Sequence, residues 1–349
     1  MKENDSNNTT NRVIYFDCLR TIAAFCVVMT HVAQQIWYKY PIGTYEWGVA
    51  NIYESAVRWS VPVFVMISGA LFLSSGKSFR LIIKNNLYKM TKLLAVWGGV
   101  FFVEGIALGK GINSSIFSII YGPLWFLFML IGLYALIPFF RKFTSDDRLV
   151  IYFLALGILS TFIIPTLSRS IGIFSDSAKR SLDIVIENFH FHFASGYASY
   201  FVLGYWINKS VIAKRHKRII GILGLASFVV LPVITGYKLA QTGSVYDYYG
   251  NLTLGILFES IFVFCLAKDI FISFSSRFTK VCRIISKYTL GIYLIHGIII
   301  DVFNEIIHIR WDFVNTAFSL PFLCLCIFII SGLASMALSK IPIIKKVIF

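Results

Sequence analysis

The sequence has few charged residues for its length, and this shortage excludes a soluble globular protein. Only 14% of the 349 residues are charged, whereas 57% are hydrophobic. A soluble domain does not need so much apolar surface, so the composition indicates a chain that crosses a membrane several times. No small-residue cleavage site follows the first apolar segment, and we expect no removable signal peptide.

Cysteine is also scarce, and its spacing excludes the usual metal sites. The six cysteines lie in or beside apolar segments, without the short intervals that zinc ligands require. Cys324 and Cys326 are two positions apart, so on a helix their side chains point in different directions. We therefore expect neither a disulfide nor a bound metal.

Ten apolar segments fill most of the chain and predict an all-α, polytopic membrane protein with about ten transmembrane helices. Several segments have aromatic residues at their ends, as expected for side chains at a membrane interface. We interpret residues 1–12 as a disordered cytoplasmic head, residues 13–340 as one membrane domain and residues 341–349 as a cytoplasmic tail. The apolar segments cover residues 13–37, 56–73, 92–109, 122–140, 149–165, 189–208, 219–235, 250–267, 288–307 and 314–338.

Acidic residues are few, and the positions of the basic ones set the expected orientation. The chain has 32 Lys and Arg against 17 Asp and Glu, which gives a net charge of +15. Such a charge would suit nucleic acid, but most basic residues lie in the head, the tail and every second loop. That distribution follows the positive-inside rule, so we expect cytoplasmic termini, contact with the lipid bilayer and no binding of nucleic acid.

The first apolar segment carries three ionisable residues, Asp17, Arg20 and His31. Arg20 and His31 are eleven residues apart, which on a helix places them within roughly 20° of one face and about 16 Å apart along the axis. Asp17 lies three residues before Arg20, within pairing distance. Because ionisable side chains are costly inside a membrane, this polar stripe predicts a functional site with Arg20 near the cytoplasm and His31 towards the outside.

The loop after the second segment concentrates five cations in sixteen residues, Lys77, Arg80, Lys84, Lys89 and Lys92. One interpretation is that these cations set the orientation of the chain in the membrane and attract anionic lipids. The other is a binding site for a phosphorylated cytosolic ligand, because Lys89 and Lys92 share a helix face at the membrane edge.

Four further residues are candidates for a site. Arg58 lies near the external end of the second segment, and Glu259 lies near the middle of the eighth. His296, in the middle of the ninth, is either a hydrogen-bonded structural histidine or part of a polar cavity shared with the stripe of the first segment. Trp125 is either an interfacial anchor or a residue that lines a site.

Four blocks of residues together resemble the acyltransferase 3 family of multi-pass bacterial membrane acyltransferases. The resemblance extends over nearly the whole chain, and the blocks occur in order within the ten-segment frame. The blocks are Asp17–Arg20 followed by His31, Ser60–Gly69, Leu124–Leu127 with Tyr134 and Pro138, and Leu290–His296.

The resemblance implies an enzyme of the bacterial cell membrane. Such an enzyme transfers an acyl group, usually acetyl, from cytosolic acyl-CoA to a hydroxyl of an extracytoplasmic glycan or lipid-linked sugar. It implies that Arg20 and His31 form the catalytic pair. Lys89 and Lys92 stand where the family has an Arg-x-x-Arg pair, and Lys keeps the charge but loses the bidentate geometry. The chain resembles the stand-alone members, which lack an extracytoplasmic esterase-like domain.

On this basis acetyl-CoA is the expected donor substrate, and we expect no permanently bound cofactor. His31 would act as general base on the acceptor hydroxyl, and Asp17 would hold Arg20 in place; an acyl-histidine intermediate is an open variant. The cations expected to bind coenzyme A phosphates are Arg80, Lys84, Lys89 and Lys92. The residues expected to contact the acceptor are Arg58, Trp125, Glu259 and His296.

A transporter of a small solute such as an amino acid is the alternative function, since a polar stripe through a helical bundle also suits transport. We find no inverted repeat and no pair of Gly/Pro-broken segments, both of which are typical of secondary carriers. A purely structural membrane protein leaves the ionisable residues unexplained. The sequence therefore favours the enzyme.

Overall fold

The computed structural model describes residues 13–76, 78–122, 124–172, 175–188, 196–242, 246–271 and 277–342. Over these residues the chain is 83% helical and has no strand, so the all-α fold is confirmed. The predicted head and most of the predicted tail, residues 1–12 and 343–349, lie outside the described residues.

Eighteen α-helices are present in the described part of the chain, together with three π-helical turns at Ile83–Leu87, Leu159–Ile163 and Val302–Ile306. The helices are α1 Ile14–Trp37, α2 Tyr45–Val57, α3 Ser60–Leu73, α4 Phe79–Ile82, α5 Tyr88–Ala107, α6 Ile112–Tyr121, α7 Trp125–Ala135, α8 Ile137–Phe143, α9 Asp147–Ile158, α10 Ile164–Ile171, α11 Asp176–Asn188, α12 Tyr197–Lys209, α13 Lys214–Thr242, α14 Tyr246–Tyr249, α15 Leu254–Phe271, α16 Arg277–Ile285, α17 Thr289–Asp301 and α18 Thr316–Leu338.

Seven spans within the described residues are long and apolar enough to cross a membrane, or eight if the bent pair α7–α8 is one span. The protein is therefore a polytopic membrane protein. Two other predicted segments form shorter or more polar helices, since α12 has 13 residues and α15 carries Glu259, Lys268 and Asp269. The count of ten spans and the cytoplasmic position of both termini stay predictions.

Helix α1 lies at the centre of the bundle. It contacts α2, α3, α15, α16, α17 and α18, and 72% of its most apolar stretch of 18 residues is buried inside the protein. Small side chains on several sides of the helix, among them Cys18, Ala23 and Ala33, let these neighbours approach closely. The stripe of ionisable residues on α1 is therefore enclosed by protein and does not face lipid.

Helices α3 and α12 pack at very short range through two glycines. A Cβ atom on Gly69 would overlap the carbonyl oxygen of Phe201, and one on Gly204 would overlap the carbonyl oxygen of Met66. The small residue Gly69 thus permits the close approach of the two helices. This contact fixes α3, one wall of the site described below, against the bundle.

The second span begins earlier than the sequence predicts. We expected it to start at residue 56, but a helix already begins at Tyr45, where the Thr44 side chain accepts a hydrogen bond from the backbone N–H of Trp47. Because α2 contains several polar residues, its sequence resembles that of a loop. Two of them, Asn51 and Glu54, are buried, because α2 packs against α1, α13 and α18 and turns these side chains towards the protein.

The fourth span is bent, by 50° between α7 and α8. Pro138 lies in the first turn of α8, where its missing N–H costs no helical hydrogen bond. The predicted segment ended close to this proline, whereas helix continues to Phe143. The bend brings Arg141 to the carboxyl end of α3, where its guanidinium donates to the carbonyl oxygen of Phe72.

Candidate active site

A cavity of about 310 Å³ lies between α1, α3, α5, α7 and α17. Along α1 it is lined by Arg20, Ala24 and Val27, three positions that rise along one face towards His31. The other lining residues are Val61, Phe64, Ser68, Lys89, Met90, Phe126, Leu130, Tyr134, Ser286, Lys287, Thr289, Leu290 and Tyr293.

One end of the cavity, here called the basic end, is lined by the cations Arg20, Lys89 and Lys287. These come from the amino-terminal part of α1, the first turn of α5 and the turn before α17. The Tyr134 hydroxyl shares a hydrogen bond with Ser68 and lies within electrostatic range of Arg20. Three cations beside hydroxyl groups make this end suitable for binding an anion such as a phosphate.

The opposite end, here called the inner end, is aromatic. Phe64, Phe126 and Tyr293 form a row in which neighbouring ring centroids are 6.3 Å and 5.5 Å apart. The buried Tyr293 hydroxyl has no hydrogen-bond partner among the described residues. A buried hydroxyl normally finds a partner, so this one is available to a group that enters the cavity.

His31 lies one helical turn beyond Val27, past the inner end, and is held by a chain of hydrogen bonds. Its Nδ1 is 3.1 Å from Oε1 of Gln34, and Nε2 of Gln34 donates to Oε1 of Glu54 at 3.1 Å. Arg58 donates to the same oxygen of Glu54, which is only 1% exposed. The guanidinium of Arg58 also acts electrostatically on His31. The imidazole thus lies in a polar cluster inside the protein.

His296 covers the other side of His31. The two ring centroids are 5.1 Å apart, and Tyr293 lies one turn before His296 with a centroid distance of 6.1 Å. His296 is 0% exposed, and its Nδ1 lies 3.2 Å from the carbonyl oxygen of Ile292. The sequence left open whether His296 is structural or belongs to a shared polar site, and its position places it in contact with both His31 and Tyr293.

The family model for the acyltransferase domain matches residues 13–336. The chain belongs to the acyltransferase 3 family. No match was found among curated proteins or among solved structures. Family membership, together with the spanning helices, makes the protein a membrane acyltransferase and favours this class over the solute transporter.

In this acyltransferase the stripe residues occupy two different places. Arg20 lines the basic end of the cavity, and His31 lies past the inner end. Asp17 is 2% exposed and accepts a hydrogen bond from the Ser286 hydroxyl at 2.9 Å, in the turn that precedes α17. Its expected role, holding Arg20, stays a prediction. Asp17 does tie α1 to the turn that carries Lys287.

The cations predicted to bind the donor separate into two groups. Lys89 lines the cavity, whereas Lys92, one turn later, is half-buried and is not among the lining residues. Arg80 and Lys84 are exposed and lie outside the cavity lining. The structure therefore joins only Lys89 of these four to Arg20.

The other residues predicted to contact the acceptor, Arg58, Trp125 and Glu259, lie in the surroundings of His31 and His296. Arg58 lies over the ring of Tyr249 at 5.1 Å, and Glu259 acts electrostatically on the same tyrosine. The carboxylate of Glu259 is 0% exposed and has no hydrogen-bond partner among the described residues. The ring of Trp125 is tilted against that of Tyr197, with centroids 5.7 Å apart, beside Phe126 of the inner end.

Several residues of this acyltransferase site were missed by sequence reasoning, namely Gln34, Glu54, Tyr249, Lys287 and Tyr293. Helical spacing could have indicated two of them, since Gln34 follows His31 by three residues and Glu54 precedes Arg58 by four. Lys287 looked like an ordinary loop charge. Within the described residues, no group of three or more His, Cys, Asp and Glu is placed to hold a metal ion.

Proposed function

We propose that this acyltransferase moves an acyl group, most often acetyl, from cytosolic acyl-CoA to a hydroxyl of an extracytoplasmic glycan or lipid-linked sugar in the bacterial cell membrane. The observation that supports this function best is the cavity, which has three cations at one end and a histidine just past the other. A donor bound at the basic end would thus present its acyl group to an acceptor that arrives from the opposite side.

The basic end suits the phosphate groups of coenzyme A. Arg20, Lys89 and Lys287 would form charge-assisted hydrogen bonds with them. At about 310 Å³ the cavity is at the lower limit of ligand pockets, so it suits the pantetheine arm and leaves the nucleotide outside. The helical rise from Arg20 to His31, about 16 Å, is of the order of the length of that extended arm.

The reaction needs one base and one hydrogen-bond donor. His31 takes the proton of the acceptor hydroxyl, and the oxygen attacks the thioester carbonyl carbon. The Tyr293 hydroxyl donates to the carbonyl oxygen as negative charge develops there. The carbon–sulfur bond then breaks, and the coenzyme A thiolate takes the proton from His31. The atoms balance with an acyl ester and free coenzyme A as products.

The acceptor would enter on the side of Arg58, Trp125, Glu259 and His296. Arg58 acts electrostatically on His31, and the ring of His296 lies 5.1 Å from that of His31. Trp125 offers an apolar ring face and an N–H donor next to the inner end. These positions make the four residues candidates for acceptor contacts, with Glu259 the most remote because it acts on the tyrosine beside Arg58 and not on the histidines.

The test is acyl transfer by the purified protein in lipid vesicles. Labelled acetyl-CoA is supplied with an extract of bacterial surface glycans, and both the labelled product and the released thiol are measured. We expect transfer by the unmodified protein and a loss of at least 100-fold in His31→Ala and Arg20→Ala. Acetyl-CoA that is neither bound nor consumed with any acceptor would contradict the choice of donor.

The matched controls are His216→Ala and Arg218→Ala, which remove the same side chains from exposed positions in the first turns of α13. Both variants should transfer at the rate of the unmodified protein. Normal transfer by His31→Ala at an equal protein level would show that His31 is not the base.

A further inference from the structure

The hydrogen bonds around His31 have a defined direction. Oε1 of Glu54 accepts from both Arg58 and Gln34, and an oxygen that accepts two hydrogen bonds carries no proton. Gln34 must therefore present its NH₂ group to Glu54. Its carbonyl oxygen is then the atom that faces Nδ1 of His31, at 3.1 Å.

A carbonyl oxygen only accepts hydrogen bonds, so it selects one form of the histidine. Neutral imidazole carries its proton on either Nδ1 or Nε2, and the nitrogen without the proton has the lone pair. Because Oε1 of Gln34 requires a donor, the proton of His31 is held on Nδ1. The lone pair is left on Nε2, the nitrogen that makes no hydrogen bond with Gln34.

We infer that Gln34 and Glu54 are positioning residues, which hold neutral His31 with its proton on Nδ1 and so make Nε2 the proton acceptor. The catalytic consequence rests on the proposed function, whereas the tautomer itself does not. Arg58 sets the direction of this series of hydrogen bonds. A guanidinium is always a donor, so the side chain of residue 54 must offer it an acceptor atom. Second partners that fix a tautomer in this way are common to catalytic histidines.

His296 supplies an internal reference. Its Nδ1 lies 3.2 Å from the carbonyl oxygen of Ile292, which also accepts only, so its proton is held on Nδ1 as well. That contact is within α17 and does not involve Gln34 or Glu54. Changes in α2 should therefore alter the tautomer of His31 and leave that of His296 unchanged.

Glu54→Leu should release the direction of Gln34. The oxygen that accepts from both Arg58 and Gln34 is lost, so the amide of Gln34 is no longer required to turn its NH₂ group towards position 54. Either end of the amide can then face Nδ1 of His31, and both tautomers of His31 become populated.

Glu54→Gln should keep the direction. The amide oxygen in the place of Oε1 can accept from both Arg58 and Gln34, so Gln34 still turns its own oxygen to Nδ1 of His31. Glu54→Gln is therefore the conservative variant that rescues the loss in Glu54→Leu. A role of Glu54 in helix packing alone does not predict that the tautomer of His31 changes in Glu54→Leu.

The experiment is nitrogen-15 NMR of the purified protein labelled in histidine, with His31 assigned by the signal that His31→Asn removes. We expect a protonated Nδ1 in the unmodified protein, a mixture of both tautomers in Glu54→Leu and a protonated Nδ1 in Glu54→Gln. In parallel, kcat for acetyl transfer should fall at least tenfold in Glu54→Leu and recover several-fold in Glu54→Gln, with KM for acetyl-CoA within twofold throughout.

Glu46→Gln, in the first turn of the same helix α2, is the control and should change neither the spectrum nor kcat. If Glu54→Leu does not fold, Gln34→Leu gives the same decision, since it removes the acceptor of Nδ1 and should leave both tautomers of His31 populated. An unchanged His31 spectrum in Glu54→Leu or Gln34→Leu overturns the inference. A tautomer change in a protein that transfers no acyl group overturns the proposed function instead.

Discussion

Tyr293 and His296 lie one turn apart on α17, with their ring centroids separated by 6.1 Å. Tyr293 lines the cavity, and the ring of His296 lies 5.1 Å from that of His31. Helix α17 therefore connects the cavity proposed for the donor with His31, the residue proposed as the base. The hydroxyl of Tyr293, which has no partner among the described residues, is the donor that we propose for the thioester carbonyl oxygen.

Tyr293→Phe should lower kcat for acetyl transfer about 100-fold and leave KM for acetyl-CoA nearly unchanged. The hydroxyl would be needed chiefly when charge develops on the carbonyl oxygen, and removal of one such donor typically has this effect. The measurement is steady-state kinetics in lipid vesicles. Tyr134→Phe is the matched control, because Tyr134 lines the basic end of the same cavity; its kcat should change less than threefold. Equal losses of kcat in the two variants would contradict the role of Tyr293.

Lys89→Gln and Lys287→Gln should each raise KM for acetyl-CoA about tenfold, with kcat within twofold. Each lysine lines the basic end and would lose one charge-assisted hydrogen bond to a phosphate. The sharpest measurement compares acetyl-CoA with S-acetylpantetheine, a donor without phosphates. The variants should not differ from the unmodified protein when the second donor is used.

Arg80→Gln and Lys84→Gln are the controls for these lysines. They remove cations of the same basic loop that are exposed and do not line the cavity, so KM should change less than twofold. A larger effect at Arg80 or Lys84 than at Lys287 would place the phosphates outside the basic end.

The stripe on α1 could be predicted because helical spacing is a local property. Arg20 and His31 are eleven positions apart, and this spacing fixes their common face whatever the rest of the chain does. The close approach at Gly69 is also a local signal, since a small residue within an apolar helix indicates close packing. Such features depend on few residues and are visible in a sequence.

The partners of His31 could not be predicted in the same way. Glu54 lowers the hydrophobicity of residues 45–57, so the sequence of this segment resembles that of a loop. In the structure the segment is a helix that packs against α1 and buries Glu54. Lys287 reaches the site only because α17 packs beside α1. These contacts join segments far apart in the chain, and no periodicity within one segment reports them.

Gly69→Ala and Gly204→Ala should each destabilise the protein by about 1–3 kcal/mol. The new Cβ atoms would overlap carbonyl oxygens of Phe201 and Met66, and backbone atoms cannot move aside as a flexible side chain can. The measurement is thermal unfolding in detergent. Gly221→Ala, in a helix with nothing within 4 Å of the added methyl group, should be neutral or slightly stabilising. Equal unfolding temperatures of all three variants would contradict the close α3–α12 packing.

Tyr40 and Asp312 join the chain after α1 to the chain before α18, and this contact should depend on pH. The Tyr40 hydroxyl donates to the carboxylate of Asp312, which lowers the pKa of that carboxyl below its ordinary value of 3.8. A depressed folded-state pKa means that the stabilisation is complete above pH 3.8 and is lost as the pH falls through the folded-state value. Tyr40→Phe should therefore lower the unfolding temperature at pH 7, and its difference from the unmodified protein should shrink as the pH falls below about 4. Tyr45→Phe removes a neutral hydrogen bond to Asn315 nearby and should show a difference that does not change over this range. A constant difference for Tyr40→Phe as well would show that its partner is not an ionised carboxylate.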